Sequence, residues 1–237
     1  MKKYSTILWD LDGTLLDFKQ SERYALGVCL AQHEVTMTDE MLKVYSAINE
    51  GYWKRLELGE VTKQELLPGR FRDFFAAEHI THIDPYEIQE RYQRELGTKT
   101  FYIDDSFELL TRLKELGYQQ YMVTNGVVVT QNIKMKNSGF DRIVDGIFIS
   151  DELGYEKPRV EFFEKAFAQI PDFRKEKAIL IGDSLTSDMK GANHAGVCAC
   201  WYNPEQKENN KGVTVDFEIT DLHQVFTILG EDSYGQV

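Results

Sequence analysis

Tyr4-Ser5-Thr6-Ile7-Leu8-Trp9-Asp10-Leu11-Asp12-Gly13-Thr14-Leu15 is the stretch on which the reading of this chain turns. A mostly apolar run from Tyr4 to Trp9 ends abruptly in Asp-Leu-Asp-Gly-Thr, the form of a buried strand that opens into a polar turn. Asp10 and Asp12 lie two residues apart, so while the strand persists they point to the same side, and the residue between them offers only its backbone. One acid of such a pair can attack while the other moves a proton.

Downstream the pattern changes twice. From Phe18 to about Leu96, apolar residues such as Tyr24, Leu26, Cys29 and Leu30, then Met41, Val44, Tyr45 and Ile48, recur at helical intervals. Thr38 and the capping-box pair Thr62 and Glu65 mark helix starts. After Asp104 helices and strands alternate: helix Ser106 to Leu116, strand Tyr118 to Val123, helix Thr130 to Asn137, strand Gly146 to Ile149, helix Val160 to Ile170, strand Ala178 to Ile181, helix Met189 to Ala195, strand Val197 to Trp201 and a last short strand over Val215 to Ile219. This alternation predicts an α/β fold, a Rossmann-like three-layer parallel sheet core with an inserted all-helical segment. The core takes residues 1–16 and 98–237, and the helical insertion 17–97. The tail from Glu231 to Val237 reads as frayed.

Composition narrows the function. With 27 Lys plus Arg against 39 Asp plus Glu, the net charge of −12 repels nucleic acid polymers and anionic membrane surfaces. Apolar residues make up 42%, too many for disorder, and no apolar run approaches the ~18 residues of a membrane span. Cys29, Cys198 and Cys200 form no CxxC pair and point to a reducing compartment. Cys198 and Cys200 read as small buried hydrophobes rather than a metal or redox pair. With no leader at the amino terminus, the expectation is a cytoplasmic protein, monomer or homodimer.

In a parallel sheet, ligands bind at the carboxyl ends of strands. Four polar tips fall there: Asp10 with Asp12, Thr124 with Asn125, Lys157 on the loop after a strand, and Asp183 with Asp188. Acids close enough to repel one another persist with a cation among them, and hard oxygen donors point to Mg²⁺. His33, His79, His82, His194 and His223 lack the spacing of a zinc site.

The segments Asp10-Leu11-Asp12-Gly13-Thr14-Leu15, Thr124-Asn125-Gly126, Gly154-Tyr155-Glu156-Lys157-Pro158 and Gly182-Asp183-Ser184-Leu185-Thr186-Ser187-Asp188 together resemble the four ordered motifs of the haloacid dehalogenase superfamily. The helical insertion resembles the cap that this superfamily places after its first strand. The resemblance implies that Asp10 attacks phosphorus to form an aspartyl phosphate, and that Asp12 serves as general acid and then general base. It further implies Mg²⁺ held by Asp10, the backbone carbonyl of Asp12 and Asp183, with Asp188 orienting bound water or Lys157. Thr124, the backbone amide of Asn125 and Lys157 would meet the phosphoryl oxygens. Members that remove halide lack an acid at the place of Asp12, so dehalogenation is not expected.

Thr124-Asn125-Gly126 followed by Gln131 and Ser138-Gly139-Phe140, the Leu-Thr-Ser insert between Asp183 and Asp188, and Trp201-Tyr202-Asn203-Pro204 resemble the bacterial noncanonical pyrimidine 5′-nucleotidases. This implies a small phosphomonoester substrate, a nucleotide above all. A phosphatase for other small phosphorylated metabolites, a sugar phosphate mutase and a non-catalytic nucleotide-binding module remain the alternatives. Specificity is expected from the cap, where Trp53 and Tyr24 are the candidate substrate contacts, while Phe71, Phe74 and Phe75 read as core.

Overall fold

A computed structural model describes residues 2–231. Six strands, β1 (Thr6–Trp9), β2 (Gln119–Thr124), β3 (Gly146–Ile149), β4 (Ala178–Gly182), β5 (Cys198–Tyr202) and β6 (Phe217–Ile219), form one sheet in the order β3-β2-β1-β4-β5-β6. Every neighbouring pair is parallel. Both faces are covered, which is why β1 and β4 read as continuous apolar runs rather than alternating ones. Register carries the chemistry: Trp9 lies opposite Met122 on one side and Ile181 on the other, so the residues that follow β1, β2 and β4 emerge along one edge.

Three layers result. Leu8, Tyr121, Val123, Leu180 and Ala199 share a buried cluster with Phe162 and Phe163 of α8 (Val160–Phe167) and Ala192 of α9 (Lys190–Ala195). On the opposite face Trp9 Nε1 donates to Gln120 Oε1 (3.1 Å), and Gln120 Nε2 donates to the Leu110 carbonyl of α5 (Ser106–Glu115) at 2.8 Å, so these buried polar groups are satisfied.

The chain divides into two compact units. The sheet unit takes residues up to 17, 101–128 and from 138 onward. The second unit is helical: 18–100 with 129–137, built from α1 (Phe18–Ala31), α2 (Asp39–Glu57), α3 (Lys63–Ala77), α4 (Pro85–Thr98) and the central part of α6 (Val128–Ser138). Thr38 and Thr62 cap α2 and α3, the latter with the reciprocal Glu65 contact. An aromatic core of Tyr45, Phe71, Phe74, Phe75 and Tyr92 fills the helical unit, with Tyr45 and Phe71 ring centres 5.2 Å apart.

A polar thread crosses that core. Glu22 of α1 accepts from Ser46 and from Asn49 Nδ2 (2.8 Å), both on α2, and Asn49 Oδ1 accepts from Arg70 Nη1 of α3 at 2.7 Å. Arg70, only 1% exposed, lies over the Tyr92 ring of α4.

Several boundaries differ from the sequence expectation. The helix at Val160 stops at Phe167, and the helix expected to start at Met189 starts at Lys190, after a wide π-helical turn over Leu185–Met189. A short helix α7 (Ser150–Leu153) and a terminal helix α10 (Gln224–Leu229) were not expected. The last strand begins at Phe217 rather than Val215. Of the tail expected to fray, Glu231 instead accepts a hydrogen bond from Tyr118 Oη (2.7 Å), and residues 232–237 lie outside the described residues.

Candidate active site

The turn after β1 is tight. Leu15 and Leu16 N–H groups both donate to the Leu11 carbonyl, and Gly13 N–H to that of Leu16. Gly13 has φ +92°, and a Cβ there would lie 2.7 Å from Asp183 Oδ2. Glycine is required both for the turn and for the approach of that acid. At the end of β4 a Cβ on Gly182 would lie 2.4 Å from Asp188 Cγ. The π-helical turn between them brings Asp188 back beside its own strand, with Ser184 N–H donating to Asp188 Oδ2 (3.1 Å) and Ser184 Oγ capping Ser187 N–H.

Lys157 ties the tips together. Its side chain is 1% exposed, and its three N–H groups go to Asp10 Oδ1 (2.8 Å), Asp188 Oδ1 (2.6 Å) and the Val123 carbonyl (2.7 Å). Asp10 Oδ2 accepts from Thr14 Oγ1 at 3.1 Å. Asp10 is thus held at both oxygens, its carboxylate fixed at the strand tip. Thr124 Oγ1 accepts from Gly126 N–H (3.0 Å), and the Asn125 carboxamide pairs with the Lys157 main chain. Trp201 Nε1 donates to the Asp183 carbonyl (2.9 Å) and anchors that loop to β5.

The electrostatics follow from crowding. Desolvation pushes the Asp10 carboxyl up to about 7, with Asp188 and Asp12 adding to the rise and Lys157 opposing it. Asp183 is raised as well, by desolvation from the atoms around it and by the charges of Asp10 and Asp188, although its side chain reaches solvent. Burial works to lower the Lys157 pKa, but Asp10 and Asp188 outweigh it and keep the ammonium charged.

Oxygens of Asp10, Asp183 and Asp188 lie within 4.8 Å of one another. When all three carboxylates are ionised beside one ammonium, two negative charges stand in excess, and all the donors are hard oxygens. This set fits a divalent cation of the Mg²⁺ class. Asp188 therefore stands within the acidic cluster itself, with one oxygen on Lys157 and the other on the Ser184 amide.

Over residues 4–196 the chain matches the family profile of haloacid dehalogenase-like hydrolases. The chain belongs to that family. This haloacid dehalogenase-like hydrolase is 36% identical over 229 residues to the HAD-hydrolase YfnB of Bacillus subtilis, covering 97% of both chains. It is 35% identical to the pyrimidine 5′-nucleotidase PynA of Streptococcus pneumoniae (97% of this chain, 96% of that one) and 26% identical to the pyrimidine 5′-nucleotidase YjjG of Escherichia coli (96% and 98%). The crystal structure of YfnB bound to magnesium superposes with a TM-score of 0.90, covering 96% of this chain and 99% of YfnB. A parallel α/β core with an inserted helical cap is thus both the observed and the familial architecture.

The structure brings Asp10, Asp183, Asp188 and Lys157 together, with Thr124 and Asn125 on the neighbouring strand tip and Asp12 on the turn. Trp53 and Tyr24 lie in the helical unit. Trp53 packs against Tyr52, Leu56 and Leu66, and the Lys99 ammonium lies 5.5 Å from the centre of the Tyr24 ring. Phe71, Phe74 and Phe75 are buried, as expected. Cys200 is buried, and half-buried Cys198 accepts a contact from Tyr4 Oη (3.2 Å). Burial raises both thiols, to about 11 for Cys198, which opposes thiolate chemistry. Among the described residues no helix is long and apolar enough to cross a membrane. Sequence reasoning missed Thr14 as a partner of Asp10 and the Val123 carbonyl as the third acceptor for Lys157. The Thr of Asp-Gly-Thr was a usable signal for the first; a backbone carbonyl leaves none.

Proposed function

We propose that this hydrolase is a Mg²⁺-dependent phosphomonoesterase that works through an aspartyl phosphate, with nucleoside 5′-monophosphates, pyrimidine ones foremost, as substrates. The observation that carries the chemistry is Asp10, held by Lys157 and Thr14 at the tip of β1 with a second acid, Asp12, two residues on. In this reading an Asp10 oxygen attacks phosphorus as the bond to the leaving oxygen breaks, and Asp12 gives that oxygen its proton. Water then attacks the same phosphorus, Asp12 takes a proton from it, and phosphate departs as the Asp10 carboxylate is restored. Thr124 and Lys157 meet the phosphoryl oxygens, and the fixed ammonium offsets their charge as it redistributes. Asp10, Asp183 and the Asp12 carbonyl would hold Mg²⁺, with Asp188 orienting Lys157; the bound cation would supply further charge neutralisation at the phosphoryl group.

The nucleotide assignment draws its support from PynA and YjjG, two pyrimidine 5′-nucleotidases that align over nearly the whole chain. The test is phosphate release from a panel of nucleoside 5′-monophosphates, modified pyrimidine nucleotides, sugar phosphates and phosphorylated coenzymes, with and without Mg²⁺, against an Asp10→Asn control. Metal-dependent release strongest on UMP, dUMP or dTMP and lost in the control is expected. Preference for a sugar or coenzyme phosphate would keep the mechanism and discard the nucleotide. No release from any compound would discard the hydrolase reading itself.

A further inference from the structure

Lys157 sits on the irregular segment between α7 and α8, yet its head reaches three fixed acceptors. Something must hold the other end of this long side chain. Asn125 does so: its Nδ2 donates to the Lys157 carbonyl at 2.9 Å, and its Oδ1 accepts from the Lys157 N–H at 2.7 Å. A carboxamide carries one donor edge and one acceptor edge, so it meets both main-chain groups of a single residue, as a neighbouring strand would. Aspartate would offer acceptors alone and set a carboxylate against the Lys157 carbonyl. Leucine, of similar size, would offer neither.

The same Nδ2 lies 3.5 Å from Ser187 Oγ, on the turn that carries Asp188. One side chain at the tip of β2 thereby touches the lysine segment and the acidic turn after β4. Both polar atoms of the carboxamide are directed at protein groups, which distinguishes the side chain from the backbone amide expected to face phosphate.

We propose that the Asn125 side chain is a positioning residue that acts on the reaction only through Lys157, by fixing its main chain so that the ammonium arrives in register with Asp10 and Asp188. A lysine stem is long and rich in rotamers, so pinning its base as well as its head limits where the charge can go. The proposal rests on reading Lys157 as part of the phosphoryl-transfer machinery, and its test separates the two.

The full chain with Mg²⁺ is assayed on p-nitrophenyl phosphate as wild type, Asn125→Ala, Lys157→Met and the double variant, with orthovanadate affinity by thermal shift measured in parallel. Asn125→Ala is expected to lower kcat by about 10- to 100-fold, the scale of a misplacement near 1 Å, with KM changed by less than about threefold. In the Lys157→Met background the same change should alter kcat by less than about twofold, because nothing is left to position. Should Lys157→Met fall below detection, vanadate affinity takes the place of kcat in the cycle. Should Asn125→Ala not fold, Asn125→Asp replaces it and is expected to lose activity in the same pattern. Equal losses from the Asn125 change in both backgrounds, or a kcat within twofold of wild type, would overturn the positioning role. Near-normal activity in Lys157→Met would instead overturn the reading of Lys157 on which it rests.

Discussion

Twice among the described residues a carboxylate is buried near a cation, and the two clusters are built differently. In the sheet unit Lys157 touches Asp10 and Asp188 directly, at 2.8 and 2.6 Å, and Asp183 adds a third acid. In the helical unit Arg70 reaches Glu22 only through the Asn49 amide, one cation to one acid. Lys157 has all three N–H groups placed, whereas Arg70 Nε and Nη2 find no acceptor among the described residues. Burial and charge are common to both. The difference is the unbalanced negative charge of the first cluster, which fits a divalent cation, while the second sets one acid against one cation and ties helices together. Excess charge at strand tips, rather than burial of charge, is what separates a reactive site from a structural one here.

The largest effect should come from breaking the first cluster at its cation. Lys157→Met leaves Asp10 and Asp188 facing each other, and kcat should fall on the order of 10³-fold. The metal-free variant should also lose about 3 kcal/mol in urea unfolding, the cost of a broken buried ion pair. Because Mg²⁺ restores the missing positive charge, it should raise the unfolding midpoint of the variant more than that of wild type. An equal rise in both proteins would mean that the acids are not under mutual repulsion.

Geometry can be perturbed without touching a charge. Gly182→Ala sets a methyl 2.4 Å from Asp188 Cγ, closer than atoms can sit, so the acid and the lysine it holds must move. A kcat loss of about 10²-fold with a smaller change in stability is expected. The matching break in the helical unit, Arg70→Met, should reverse that profile. About 2 kcal/mol of stability goes with the buried hydrogen bond and the cation over Tyr92, while kcat per folded molecule changes far less than in Lys157→Met. Urea titration alongside steady-state kinetics checks both, and an Arg70→Met variant as inactive as Lys157→Met would erase the distinction between the clusters.

Local pattern explains what was legible in the sequence. The strand over Ile7 to Trp9 and the turn at Asp10 are adjacent in the chain, and a parallel sheet necessarily delivers Thr124, Asn125 and Asp183 to the edge where Asp10 emerges. The helix α10 was missed because Gln-Val-Phe-Thr-Ile-Leu is rich in β-branched residues and short. The turn over Leu185–Met189 leaves no mark in the sequence because π-helical geometry has no sequence period of its own. Asn49 and Arg70 sit 21 residues apart on separate helices, and only packing reveals them as a pair. The Asn125 carboxamide was invisible for the same reason: its partner is a backbone 32 residues away.

The finest probe of the comparison is the proton on Glu22. Burial raises its pKa above the ordinary 4.5, with Glu50 adding to the rise, while the bonds from Ser46 and Asn49 and the charge of Arg70 pull it back. Between the unfolded and folded values the native protein binds the extra proton, so this group's contribution to stability is fully present below about 4.5 and is lost as pH rises through the folded value. Glu22→Gln removes the titration yet keeps the contacts, since its oxygen still accepts from Asn49 and its amide can donate to Ser46 Oγ. Urea unfolding from pH about 4.5 to neutrality should therefore show a flatter decline for the variant, which equals or exceeds wild type at the upper end. An unchanged slope would mean that Glu22 stays ionised where it is, held by Arg70 through the amide between them, and that a one-amide relay serves as well as the direct contacts of Lys157.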